Sequence, residues 1–411
     1  MGNKEVRARV LAEVDKLQDE IIRFLGHIVQ TPSVVNEDQG PVTRVIKAKY
    51  DSLGLKTDIV EAVKGKINVL GCWRGAGGDK SIGFYSHHDT MPVEEPSAWK
   101  HDPWGAEIDE DGIMWGEGIA DCKQGIACAV GAIQALQNAG VRLKGDVVLL
   151  SNMGEVTSEE VGCKPVIQSG LFNVTGAVQG DPPGTHLGEA AVTTHHLGMM
   201  IFTVSIKGTP GHSLFPGYGV NAVLKTPKVI EALVNLDIPH KPYKLAPFHP
   251  FAMIDSVNGG NSFPGFTPLK VDIGARLHLL PGQTEEEGLS SIKAGMDRLK
   301  KEDSEIDVDI NVVKWQPGDE IGDWPESQEL LGVIQKVSKE IRGEELTPVV
   351  MTAPAMAHYV QKAGIPTFVW SAARAGICNP HRSNEWVAIK DVIDVTKDYA
   401  LIAMDYLGYE A

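Results

Sequence analysis

The sequence predicts an α/β domain, a sheet with helices on its faces, interrupted by a small α+β insert. Three observations carry this. Short apolar runs at residues 67–72, 82–86 and 146–151 are separated by stretches of helical periodicity, which is how buried strands alternate with covering helices. The rhythm changes near residue 192, and residues 305–314 then alternate polar and apolar side chains strictly, as a strand with one wet face does. After Gln316-Pro317-Gly318-Asp319 the first pattern resumes. The expected boundaries are 1–191 and 317–411 for the two parts of the α/β domain and 192–316 for the insert.

Residues 4–30 place Val10, Val14, Leu17, Ile21, Phe24, Leu25 and Ile28 on one helical face. Thr31-Pro32 ends that helix, because the residue before a proline is pushed out of the α region. A second helix covers 41–53 and stops at Gly54. An apolar helix follows Asp121, from Ile126 to Leu136. In the insert, strands are expected at 199–206, 268–279 and 305–314, with helices at 220–235 and 284–301. The last stretch reads as a helix at 326–342, a buried strand near 366–371 and a closing helix at 390–408.

The chain has 411 residues, 43% of them hydrophobic, and a net charge of −16. So acidic a surface repels nucleic acid phosphates and anionic lipid, and neither is an expected partner. No stretch approaches the ~20 apolar residues of a membrane span. The five cysteines, Cys72, Cys122, Cys128, Cys163 and Cys378, are odd in number and show no C-x-x-C spacing. That argues against a disulfide framework or a thiolate zinc site and for a reducing, cytoplasmic setting. Nothing apolar follows Met1-Gly2-Asn3-Lys4, so no secretory signal is expected.

Five signals carry chemistry. His87 and Asp89 follow an apolar strand and face the same way, so the aspartate is placed to orient the imidazole. Asp121 ends the glycine-rich turn Gly116-Glu117-Gly118-Ile119-Ala120 at the start of a helix. Glu159 and Glu160 are adjacent, so one can hold a metal while the other serves as general base. Asp181 follows another apolar stretch, and His381 sits beside Pro380 in a polar loop. Alone, each has an ordinary reading: a structural H-x-D, a helix N-cap, a solvated acidic pair. Together His87, Asp121, Glu160, Asp181 and His381 supply two imidazoles and three carboxylates, a donor set that suits Zn, Mn or Co. Two ions about 3.5–4 Å apart would need one bridging carboxylate and two further ligands each.

The motifs H-x-D-T-x-P at 87–92, G-x-G-x-x-D at 116–121 and Glu159-Glu160-x-Gly162 resemble the co-catalytic metallopeptidase family of aminoacylase, acetylornithine deacetylase, succinyl-diaminopimelate desuccinylase and carboxypeptidase G. Gly211-His212-Ser213, Asn221-Ala222, Asn261, Arg276 and His381…Asn384-Glu385 extend the likeness. It implies a zinc-peptidase-like catalytic domain with a mixed sheet, and a ferredoxin-like lid and dimerisation insert. It also implies one or two divalent ions per subunit, Zn first, with Mn or Co as alternatives. Asp121 would bridge, His87 and Asp181 would complete one site, and Glu160 and His381 the other. Asp89 would steady His87, and Glu159 would be the general base. His212 would reach the neighbouring subunit's site in a homodimer or higher homo-oligomer, and Asn261 and Arg276 would hold a substrate carboxylate.

The implied activity is hydrolysis of an amide or peptide C–N bond in a small carboxylate-bearing molecule. Departures from the family pattern are Glu117 where arginine is usual, Asp181-Pro182-Pro183, a long loop carrying Glu155, and the stretch 352–358 ending in His358. The pairs His87-His88 and His195-His196 add further imidazoles. These departures keep two alternatives open: deamination of an aromatic amine, of the 5-nitroanthranilate aminohydrolase type, and a non-catalytic binding protein on the same scaffold.

Overall fold

The computed structural model describes residues 3–155, 161–183, 190–212, 214–215, 217–245, 249–261, 265–351, 356–373 and 377–410. They form two compact units, one from the chain up to 194, 321–351 and the stretch after 355, the other from 195–320.

In the first unit an eight-stranded sheet runs in the order Lys56–Val63, Lys66–Trp73, Asp146–Asn152, Ser81–His87, Gly176–Gln179, Thr367–Val369, Ala191–His196, Thr347–Met351. The four strands from Asp146–Asn152 to Thr367–Val369 are mutually parallel, and antiparallel strands flank them, so the sheet is mixed. Strands Asp146–Asn152 and Gly176–Gln179 are buried along nearly their whole length, as continuous apolar runs require. Helices Gln124–Asn138 and Ile389–Leu407 are likewise mostly buried. Their side chains, among them Ile133, Leu136, Leu401 and Met404, join Val147, Leu149 and Phe368 of the sheet in one core.

The N-terminal apolar stripe forms two helices rather than one, Asn3–Lys16 and Gln18–Val29, meeting at the buried Leu17. The stripe runs unbroken through the junction because Leu17 still faces the core. The second helix expected from the sequence is Gly40–Ser52, and Gly54 beyond it has φ +68°. All five cysteines are free. Among the described residues, no helix is long and apolar enough to cross a membrane.

The second unit has the element order β-α-β-β-α-β: strand Gly198–Lys207, helix Ala222–Val234, strands Phe251–Gly259 and Lys270–Leu279, helix Glu285–Glu302, strand Asp307–Gln316. Its four-stranded sheet is antiparallel and ordered Phe251–Gly259, Lys270–Leu279, Gly198–Lys207, Asp307–Gln316, which is the ferredoxin-like arrangement. Phe202, Val204, Ile273 and Leu277 pack with Val229, Leu233, Ile292 and Met296 of the two helices. The opposite face of the sheet is wetter, and Arg276 stands on it, out of phase with Leu277.

Candidate metal centre

Three parallel strands end together at the candidate site. His87 lies opposite Asn152, and Tyr85 opposite Gln179. The chain then continues to Asp89, Glu155 and Asp181 within two or three residues of each strand end. Open α/β sheets place ligands beyond the carboxyl ends of their strands for this reason.

Asp121 comes from the turn before helix Gln124–Asn138. Gly118 adopts φ +72° there, and a Cβ on it would collide with Thr90. Gly125 lets the helix start sit against the strand end: a Cβ would stand 2.6 Å from the Gly180 oxygen. The turn is held by Glu385, whose carboxylate accepts N–H bonds from Gly118 (3.0 Å), Ala120 (2.7 Å) and Asp121 (2.8 Å). His381 lies four residues before Glu385 and has φ +58°, with Asn379 and Asn384 also left-handed, a conformation that clusters at functional sites. Glu385 thus fastens the loop bearing His381 to the turn bearing Asp121. Glu385→Ala leaves three amide donors unmet, at ~1–3 kcal/mol each when buried. A clear fall in the thermal midpoint is expected, and a wild-type melting curve would overturn this assignment.

The centre itself is built on Asp121. His87 Nε2 lies 2.9 Å from its Oδ1, and His381 Nε2 lies 2.9 Å from its Oδ2. The other nitrogen of His87 reaches the Asp89 backbone oxygen at 2.9 Å and the Asp89 carboxylate at 3.5 Å. A proton on that nitrogen leaves Nε2 free to ligate. Asp89 is fully buried and accepts the Gly154 N–H. Gln179 Nε2 donates to Asp181 at 2.6 Å. His87, Asp121, Cys122 and Asp181 have potential ligand atoms all within 4.8 Å of one another.

Electrostatics set out what this cluster lacks. Burial, then the charge of Asp121, pushes the Asp181 carboxyl well above its ordinary value. Burial also raises Glu155 to about 7, and its carboxylate stands 3.9 Å from His87 Nε2. Burial alone would raise Asp121, but the hydrogen bonds from His381 and His87 hold it well down. Four carboxyl groups, buried Asp89 and Asp181 and partly buried Asp121 and Glu155, therefore gather around buried His87 and the more exposed His381. A divalent cation would balance them, and the oxygen and imidazole donors suit one. Cys122 bonds the His87 backbone instead: its sulfur accepts the His87 N–H at 3.3 Å, and burial keeps the thiol protonated.

Glu159 and Glu160 lie outside the described residues, as do Ser213 and residues 352–355. The remaining sequence-stated positions are in view. His212, in the second unit, packs on Phe215, and its Nδ1 accepts the Leu214 N–H. Asn261 donates to the Phe266 oxygen. Arg276 grips both oxygens of Asp255 at 2.7–3.0 Å, so its fork already has a carboxylate. His88 is buried against Ser151, and His196 pairs with Asp319 at 3.1 Å. Sequence reasoning missed Gln179, which lies inside an apolar run. Glu385 has only a motif-level signal, since nothing in the sequence reveals an acceptor for three backbone N–H groups.

Comparison with known proteins adds the context. Residues 83–405 match the sequence pattern of Peptidase family M20/M25/M40. The chain is 24% identical to N-formyl-4-amino-5-aminomethyl-2-methylpyrimidine deformylase of Bacillus subtilis, over 96% of this chain and 95% of that one. It is 29% identical to succinyl-diaminopimelate desuccinylase of Hydrogenovibrio crunogenus, over 53% of this chain and 57% of the other. Among solved structures it resembles a di-peptidase of Saccharomyces cerevisiae, with TM-score 0.77 at 16% identity over 97% and 98% of the two chains. Human carnosine dipeptidase 1 gives TM-score 0.76 at 16% identity with the same coverage. At such identities the structural likeness speaks for the fold.

Proposed function

The chain belongs to peptidase family M20/M25/M40 and is a hydrolytic enzyme, and from that premise we propose that it cleaves the amide C–N bond of a small molecule at a divalent metal centre. His87, Asp121, Asp181 and His381 would hold the metal, with Glu160 as the fifth ligand. The observation that carries this reading is Asp121, with one imidazole Nε2 at 2.9 Å from each carboxylate oxygen. Zn is the first choice and Mn or Co the alternatives, because the donors are nitrogen and oxygen. When bound, such an ion lowers the pKa of a water from 15.7 to about 7 and polarises a carbonyl.

The chain's own residues have separate tasks. Asp89 orients His87. Glu159 is the general base: it takes a proton from the attacking water and returns it to the leaving nitrogen. His212 is the donor to the developing oxyanion. Asn261 and Arg276 are proposed to hold a substrate carboxylate, Arg276 by exchanging Asp255 for it. A deformylase and a desuccinylase among the relatives support acyl removal over deamination. The test is a panel of formamides, N-acyl amino acids and dipeptides with Zn-, Mn- or Co-loaded protein, reading the freed amine. Chelation is expected to abolish release. Ammonia from an aromatic amine, with no amide cleaved, would sink the proposal.

A homodimer through the second unit follows from the His212 role. Its support is the edge strand Phe251–Gly259, which leaves Met253 46% and Val257 49% exposed. Helix Ala222–Val234 exposes Val223, Leu224 and Val234 in the same unit. An unpaired edge with apolar side chains invites pairing with a second copy. Met253→Lys with Val257→Lys is expected to convert the dimer to a monomer in sedimentation; an unchanged mass contradicts the placement.

A further inference from the structure

We propose that the cavity shared by Glu117 and His381 is a substrate subsite for a protonated amine or amidine, with the Glu117 carboxylate as its counter-ion. This deepens the amide-hydrolase reading and rests on it, since that reading puts His381 at the metal. The cavity holds about 400 Å³ and is lined by Glu117 and His381 together with Trp99, Glu94, Glu95 and Arg382. A group seated there lies against a proposed metal ligand, as part of a bound substrate must.

Glu117 is only 5% exposed, yet among the described residues no donor hydrogen-bonds its carboxylate. Its electrostatic neighbours are Lys123, His381 and Asp121. Lys123 is the foremost of these, and Glu117 is its foremost charge partner in turn, but it does not bond the carboxylate. It is fully buried, its ammonium has no hydrogen-bond partner, and it stands 5.6 Å over the Trp104 ring. It makes no ion pair with Glu117 and does not line the cavity. A carboxylate this little exposed, lining a cavity and with no protein donor, is costly to keep charged without a ligand cation beside it. A ligand ammonium or amidinium supplies, from the cavity side, the donors that Lys123 does not, and charge-assisted bonds of this kind are the strong ones.

The surroundings agree in sign. Glu94 and Glu95 are exposed at the rim and add negative potential around the opening. Trp99 also lines the cavity, and an indole is a favourable neighbour for a cation. Arg382 is exposed and is the opposing charge at the mouth, so an anionic ligand is the rival to be tested.

The experiment is calorimetric titration of the metal-loaded full chain with benzamidine, neutral benzamide and anionic benzoate. Benzamidine is expected to bind at least about tenfold tighter than benzamide, the worth of one charge-assisted contact. Glu117→Gln is expected to bring the two within about threefold, with metal content unchanged, while Glu117→Asp keeps the preference. Equal binding in the wild type, tighter binding of benzoate, no binding at all, or a preference that survives Glu117→Gln would each overturn the proposal. If Glu117→Gln does not fold, the wild-type order and Glu117→Asp still decide. Binding needs no turnover, so a cation preference in a chain that cleaves no amide would uphold the subsite and sink the reaction instead.

Discussion

Asp121→Asn is expected to strip metal from the centre and lower kcat/KM by at least about 10⁴-fold. Asp121 is the one described side chain that meets both imidazoles. Asparagine keeps the shape but offers one acceptor oxygen, so it serves one side only. The backbone should survive, because the turn hangs on Glu385 through main-chain N–H groups that the substitution leaves in place. The size of the loss follows from the water: without metal its pKa returns from about 7 to 15.7, and better intrinsic nucleophilicity recovers only part of that. Metal per chain and kcat/KM, measured on the same folded sample, check it. Wild-type metal content with activity within tenfold would refute the role of Asp121.

Glu159→Gln is expected to cost about 10²–10⁴-fold in kcat, the usual worth of a general base, while metal content stays at the wild-type level. That split separates a base from a ligand: Glu160→Gln should lose metal first. Glu155 is the control. Its carboxyl stands 3.9 Å from His87 Nε2, and burial raises it to about 7. If Glu159 is the base, Glu155→Gln should cost clearly less than Glu159→Gln. The reverse order would move the base to Glu155.

Much of this was legible in the sequence, for reasons that particular residues make plain. Runs such as Ile82-Gly83-Phe84-Tyr85 read as strands because a strand buried on both faces must be apolar throughout. Helix Glu285–Glu302 was visible from its charged periodicity, and its start is fixed by a capping box between Thr284 and Glu287. The candidate site residues stand out in the sequence because His87, Asp121, Asp181 and His381 lie beside strand ends, glycines or prolines. Strand Phe251–Gly259 was not legible, since an exposed edge strand carries no apolar rhythm. Lys56–Val63, also at an edge and largely exposed, was hidden for the same reason. The break at Leu17 left no mark because both helices present one continuous stripe. Nor could spacing reveal that Glu385 ties two loops together, or that Arg276 already grips Asp255. Those facts depend on residues 264–267 positions away in one case and on cross-strand register in the other.

Catalysis is proposed to run at a metal centre built on Asp121. Anomalous diffraction at the metal edge, from crystals grown with zinc and then with manganese or cobalt, tests it most directly. Peaks are expected within ligand distance of His87 and Asp121, with His381 and Asp181 as further ligands. A protein that hydrolyses its amide at full rate with no metal at these residues would contradict it.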